Sequence, residues 1–196
     1  MIEQHKNNLI NYTVQGDGPP VILIHGMGAS LYDWEAMIPE LVGAGYRTYA
    51  VDLLGHGDSL KPEEPGSYHS KTVYSYLEQW IDKLNLEMPP FMVGHSMGAY
   101  FSMRYGLRNP QKLLAMALVN PFYTPQQLSP VVRLLQRRPK LGEKALRVVP
   151  EWIFHALAMM RQLPGIHGAE RHWQAGSIAE GLFIIPIQCR VAQSFD

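Results

Sequence analysis

The feature that most constrains this chain is an alternation. Across residues 21–119, short apolar runs take turns with longer stretches whose apolar residues recur at helical spacing. Residues 21–24 are apolar throughout, the pattern of a strand buried on both faces. Trp34, Met37, Ile38, Leu41 and Val42 then mark one face of a helix, opened by Ser30 or Asp33 and closed by Gly43 and Gly45. Residues 49–53 read as a strand, and Val73, Leu77, Trp80, Ile81 and Leu84 as a helix face. A buried strand at 91–93, a helix over about 97–108 and a strand at 114–119 follow. This order predicts an α/β fold, a mostly parallel sheet with helices on both faces. Upstream, residues 9–14 alternate apolar with polar and meet Gly16-Asp17-Gly18, which predicts an edge strand and a hairpin.

After Asn120 the rhythm stops. Residues 121–180 are rich in proline and helix formers, with helices predicted at 131–135, 144–149 and 152–160. Near Phe183 an apolar run returns. The predicted organisation is therefore a core over 1–120, a helical cap or lid over 121–180 and a return to the core sheet over 181–196. Lysine plus arginine balance aspartate plus glutamate at 17 each, so the net field that gathers nucleic acid is absent. Cys189, the single cysteine, allows no internal disulfide. No signal peptide and no run of apolar residues long enough to span a bilayer is read, so a cytoplasmic protein without stable membrane insertion is expected. No metal site and no cofactor is predicted.

Gly94-His95-Ser96-Met97-Gly98 follows a buried strand and opens a helix, the setting in which a G-x-S-x-G sequence carries chemistry. The turn is so tight that flanking side chains would strike neighbouring backbone, whereas glycine lets Ser96 project above the sheet. The helix that follows aims its first amides and its dipole at any anion forming there. His25-Gly26-Met27-Gly28 follows the strand at 21–24 in the same way. Its turn brings the Met27 amide beside that of Met97, and two such donors aimed at one point make an oxyanion hole. His25 is read as a brace for this loop. In the third loop, residues 52–59, Asp52 is expected to bond loop amides, and His56 and Asp58 are read as turn residues rather than a catalytic pair.

These three motifs, in this order and spacing, resemble the α/β-hydrolase superfamily over about residues 9–122. They are especially similar to its cap-bearing branch of esterases, carbon–carbon bond hydrolases, haloperoxidase-like enzymes, epoxide hydrolases and dehalogenases. Epoxide hydrolases and haloalkane dehalogenases of this type carry aspartate at the elbow, so Ser96 points to the serine branch. The resemblance implies a Ser–acid–His triad in chain order and a cap over the pocket. It places the acid after the strand that follows the cap, where Asp196 is the candidate; the alternative place, after the strand before the cap, holds the uncharged Asn120. His155, His167 and His172 all fall in the cap-like stretch, so the triad histidine is not expected among these residues. A C-terminal truncation and a weakly active chain are expected in consequence.

The function that follows is hydrolysis of an ester or related acyl compound through an acyl-Ser96 intermediate. Leu134, Leu135, Trp152, Phe154, Leu157, Met159 and Met160 favour a small-molecule substrate with an apolar portion. The alternative is a binding protein on the same scaffold, holding an apolar small molecule without turning it over, as some hormone receptors of this fold do.

Overall fold

The computed structural model describes residues 3–6, 9–121 and 182–186, the strands at 3–6 and 182–186 as backbone. The described strands are β1 (Glu3–Lys6), β2 (Asn11–Gln15), β3 (Pro20–Ile24), β4 (Arg47–Val51), β5 (Phe91–His95), β6 (Ala115–Val119) and β7 (Leu182–Pro186). They form one sheet in the order β1-β2-β4-β3-β5-β6-β7. The helices are α1 (Met37–Gly43), preceded by a 3-10 turn at Leu31–Trp34, α2 (Ser70–Lys83) and α3 (Met97–Arg108). The α/β prediction holds: β4, β3, β5 and β6 run parallel at the centre, while β1, β2 and β7 pair antiparallel around them.

Because side chains alternate along a strand, β3 divides its apolar residues between two cores. Ile22 and Ile24 face α2 and α3, packing with Val73, Leu77, Trp80, Met92 and Phe101. Val21 and Leu23 face the other way, with Leu31, Trp34 and Ile38. All five β3 residues are buried, as an unbroken apolar run requires. The periodic residues of α2 read from sequence, Val73, Leu77, Trp80 and Ile81, are likewise its buried face.

Three expectations are corrected. The strand at Asn11–Gln15 is not an edge, because β1 pairs along its outer side. Nor does the 16–18 turn close a hairpin, since β4 lies between β2 and β3. Its glycines serve a close approach instead. A Cβ on Gly16 would lie 2.4 Å from the Tyr46 carbonyl oxygen and one on Gly18 2.3 Å from that of Gly45, so the turn is packed under the chain leaving α1. Third, β4 ends at Val51, two residues before the predicted end, because Asp52 and Leu53 turn into the loop that follows.

The sheet does resume near Phe183, as β7 beside β6, but antiparallel, with Leu182 opposite Val119 and Pro186 opposite Ala115. The helical cap expected over 121–180 and the apolar residues assigned to it lie outside the described residues, as do Cys189 and Asp196. No helix among the described residues is long and apolar enough to cross a membrane.

Candidate active site

Ser96 stands between the last residue of β5 and the first of α3. Its backbone takes φ 52° and ψ −109°, a positive-φ conformation that costs a residue with a side chain about 1–3 kcal/mol. Neighbouring hydrogen bonds hold it there. The Ser96 N–H donates to the Val119 carbonyl at 2.9 Å, and the Tyr100 N–H donates to the Ser96 carbonyl at 3.1 Å. The strain lifts the serine out of the β5 ladder at the C-terminal end of the parallel strands, where open α/β sheets place their sites.

The elbow glycines are fixed by distance. A Cβ on Gly98 would lie 2.1 Å from the Ile24 carbonyl oxygen and 2.6 Å from that of His25; one on Gly94 would lie 2.5 Å from the Gly98 carbonyl group. The absence of both side chains lets α3 begin directly against the end of β3. Gly26 completes the contact, since a Cβ there would lie 3.0 Å from His95 Nδ1 and 3.3 Å from Ser96 Cβ. The loop carrying Gly26 therefore runs against Ser96 itself. Met27 is next in that loop, 65% exposed, and Gly28 follows at φ 70° with open space around it. At the start of α3, Met97 contributes one of the amides that have no carbonyl a turn earlier in the helix.

His25 is completely buried and both ring nitrogens are engaged. The Leu53 N–H donates to Nε2 at 3.0 Å, which makes Nε2 an acceptor and leaves the proton on Nδ1, 2.7 Å from the Gly26 carbonyl oxygen. Burial lowers its pKa from the usual histidine value; the Gly26 bond opposes this, and His56, with its ring centre 5.1 Å away, reinforces it. A neutral imidazole with no nitrogen to spare is a brace between the 25–28 loop and the 52–59 loop, and not a base for Ser96.

Asp52 is the hub of the second loop. Its Oδ1 accepts the Leu31 N–H at 2.8 Å; its Oδ2 accepts the Asn11 side-chain N–H at 2.8 Å and the Asp58 N–H at 2.9 Å. Ser59 Oγ donates to the Asp52 carbonyl at 2.6 Å and accepts the Asn11 N–H at 2.8 Å. One buried carboxylate thus ties β2, the 3-10 turn and the loop after β4 together. His56 turns Nδ1 toward the Leu54 carbonyl, 3.1 Å away, and the Asp58 N–H donates to Asp52, so both residues are tied into the turn. Asn11 was not foreseen from sequence; its role depends on partners more than 40 residues away. Asn120 follows β6 at φ 45°, and since Val119 pairs with His95 it lies at the same end of the sheet as Ser96.

The family model described as the alpha/beta hydrolase fold matches residues 19–150. Among curated proteins, bifunctional epoxide hydrolase 2 of Mus musculus is 29% identical over 163 residues, 82% of this chain and 26% of that protein. A haloalkane dehalogenase of Agrobacterium fabrum is 34% identical over 111 residues, 56% of this chain and 35% of its own length. Among solved structures, the thioesterase domain from the curacin biosynthetic pathway superposes with a TM-score of 0.62 at 30% identity, covering 73% of this chain and 54% of that one. The chain spans about a quarter to a third of the length of the two curated relatives.

Proposed function

The chain belongs to the alpha/beta hydrolase fold family, and from that premise we propose that it is a serine hydrolase of esters or related acyl compounds, with Ser96 as nucleophile. The observation that carries the reading is the strained Ser96 backbone at the junction of β5 and α3, walled by glycines that leave no room for side chains. In this reading Ser96 Oγ attacks the acyl carbonyl carbon and gives up its proton to a base. The carbonyl oxygen gains the negative charge, and the amides of Met27 and Met97 hold it. Collapse of the tetrahedral species expels the alcohol or thiol and leaves an acyl-serine ester. Water then cleaves that ester to the free acid and regenerates Ser96.

The side chain at the elbow selects the chemistry. Attack of a serine oxygen on an epoxide carbon or a carbon–halogen bond yields an alkyl ether, which has no carbonyl for water to attack. Attack on an acyl group yields an ester, which water hydrolyses through the same oxyanion site. Relatives named epoxide hydrolase and haloalkane dehalogenase therefore share the scaffold with this chain, while the structural relative named thioesterase is nearer in chemistry. Asp196 is the proposed acid. β7 ends at the opposite end of the sheet from Ser96, so this assignment rests on the resemblance alone.

The test sets 4-nitrophenyl esters of increasing acyl length against styrene oxide. Slow turnover of the esters, in keeping with the weak activity expected of this chain, faster for longer acyl groups than for acetyl and lost in Ser96→Ala, is expected, with none of the epoxide. Epoxide opening, or ester turnover that survives in Ser96→Ala, would overturn the assignment. Saturable ester binding without 4-nitrophenol release would favour the binding-protein alternative instead.

A further inference from the structure

Leu53, His25 and Gly26 are joined in a row of hydrogen bonds that ends at the Met27 amide. The Leu53 N–H donates to His25 Nε2 at 3.0 Å, and Nδ1 lies 2.7 Å from the Gly26 carbonyl oxygen. That oxygen and the Met27 N–H belong to one peptide group. No cis peptide bond occurs among the described residues, so the group is planar and trans, and its N–H points opposite to its C=O. The ring therefore fixes more than the position of the loop. By holding the oxygen it sets the plane of the Gly26–Met27 peptide. It sets with it the direction of the Met27 N–H, which faces away from the ring and donates to no described residue.

Burial lowers the pKa of His25, which keeps the ring neutral with a single proton. Because Nε2 is occupied as an acceptor, that proton sits on Nδ1. The Nδ1–H bond draws electron density toward the Gly26 oxygen. The Met27 nitrogen becomes more positive and its N–H a stronger donor, the cooperative effect of hydrogen bonds in a row. His25 and Leu53 are sealed from water, where such polarisation is least screened. The row ends beside the nucleophile, since a Cβ on Gly26 would lie 3.3 Å from Ser96 Cβ.

We propose that His25 is a positioning residue for the oxyanion: through Nδ1–H it aims and polarises the Gly26–Met27 peptide, so that the Met27 amide is a preset donor to charge developing on the substrate. The proposal rests on the reading of Ser96 as the nucleophile of an acyl transfer. His25 itself is buried and acts only through that peptide.

Two substitutions separate this role from that of a brace. In His25→Asn the side-chain nitrogen reaches the place of Nδ1 and can still donate to the Gly26 carbonyl. In His25→Gln the side-chain oxygen reaches the place of Nε2 and can still accept the Leu53 N–H. With a 4-nitrophenyl ester, His25→Gln is expected to lower kcat by at least about tenfold, part of the roughly 10²–10³-fold that removing an oxyanion donor costs, with KM little changed. His25→Asn is expected to recover part of that loss. The amide proton of Met27 should move upfield in His25→Gln and much less in His25→Asn. Equal kcat in His25→Gln and the parent, a loss in His25→Asn as great as in His25→Gln, or a Met27 amide that ignores both would overturn the proposal. Should neither variant fold, nitrogen NMR shifts of the His25 ring in the unaltered protein decide it: a proton on Nδ1 supports the row as drawn, and a proton on Nε2 overturns it. Ester turnover that survives in Ser96→Ala would sink the reading of Ser96 instead, and the Met27 amide shift would still test the geometry.

Discussion

Alanine at Gly98 is a single added methyl with a large consequence. Its Cβ would fall 2.1 Å from the Ile24 carbonyl oxygen and 2.6 Å from that of His25. Ordinary contact begins near 3.4 Å, so the start of α3 and the end of β3 must part by about 1 Å, and neither neighbour is a side chain free to rotate. Overpacking of this kind costs about 1–3 kcal/mol. Alanine's better helix propensity returns at most about 1 kcal/mol, leaving a net loss of up to about 2 kcal/mol. The displaced segments carry the Met27 and Met97 amides, and a misplacement of about 1 Å lowers reactivity by about 10²-fold. Gly43→Ala is the control, since a Cβ there meets nothing within 4 Å; it should be neutral or slightly stabilising. Denaturant unfolding gives the stabilities, and the rate of fluorophosphonate labelling gives the reactivity. Gly98→Ala matching Gly43→Ala in both would refute the argument that close backbone approach fixes the elbow.

Asp52→Asn should destabilise the protein by about 2–4 kcal/mol in denaturant unfolding. Depending on which way the amide turns, one or two of the donors now bonded to the carboxylate face another N–H; a loss under about 0.5 kcal/mol would contradict the hub. The lowered pKa of His25 has a definite sign. The native state resists a proton that the unfolded chain accepts, so the His25 contribution is complete above about pH 6.5 and declines as pH falls below it, by up to about 1.4 kcal/mol per pH unit, until the native pKa is reached. Unfolding free energies between about pH 7.5 and about pH 5 should fall more steeply in the parent protein than in His25→Gln, and a reversed or absent difference would count against a buried neutral imidazole.

The parts of this fold readable from sequence are those whose cause is local. The apolar run of β3, the 3.6-residue pattern of α2 and the glycines around Ser96 all express constraints between residues close in the chain, and the structure carries each as read. Strand order is different. The Gly16–Gly18 turn has a hairpin's composition, yet its glycines answer to Gly45 and Tyr46, a contact that exists only once α1 has carried the chain back. The Asp52 hub joins Asn11, Leu31 and Ser59. Of these Ser59 belongs to the same loop, while Asn11 is polar within a strand and gives no local sign of burial. The antiparallel direction of β7 was equally hidden, because an apolar run reads the same in either direction.

The central claim is that Ser96 is an activated nucleophile, and the most direct measurement is the site of covalent labelling. The protein is treated with a fluorophosphonate, digested, and the modified peptide identified by mass spectrometry, in parallel with Ser96→Ala and with a heat-denatured sample. The account predicts one adduct, on Ser96, formed only by the folded protein and absent from the alanine variant. No adduct on the folded protein, or an adduct that persists in Ser96→Ala, would contradict it.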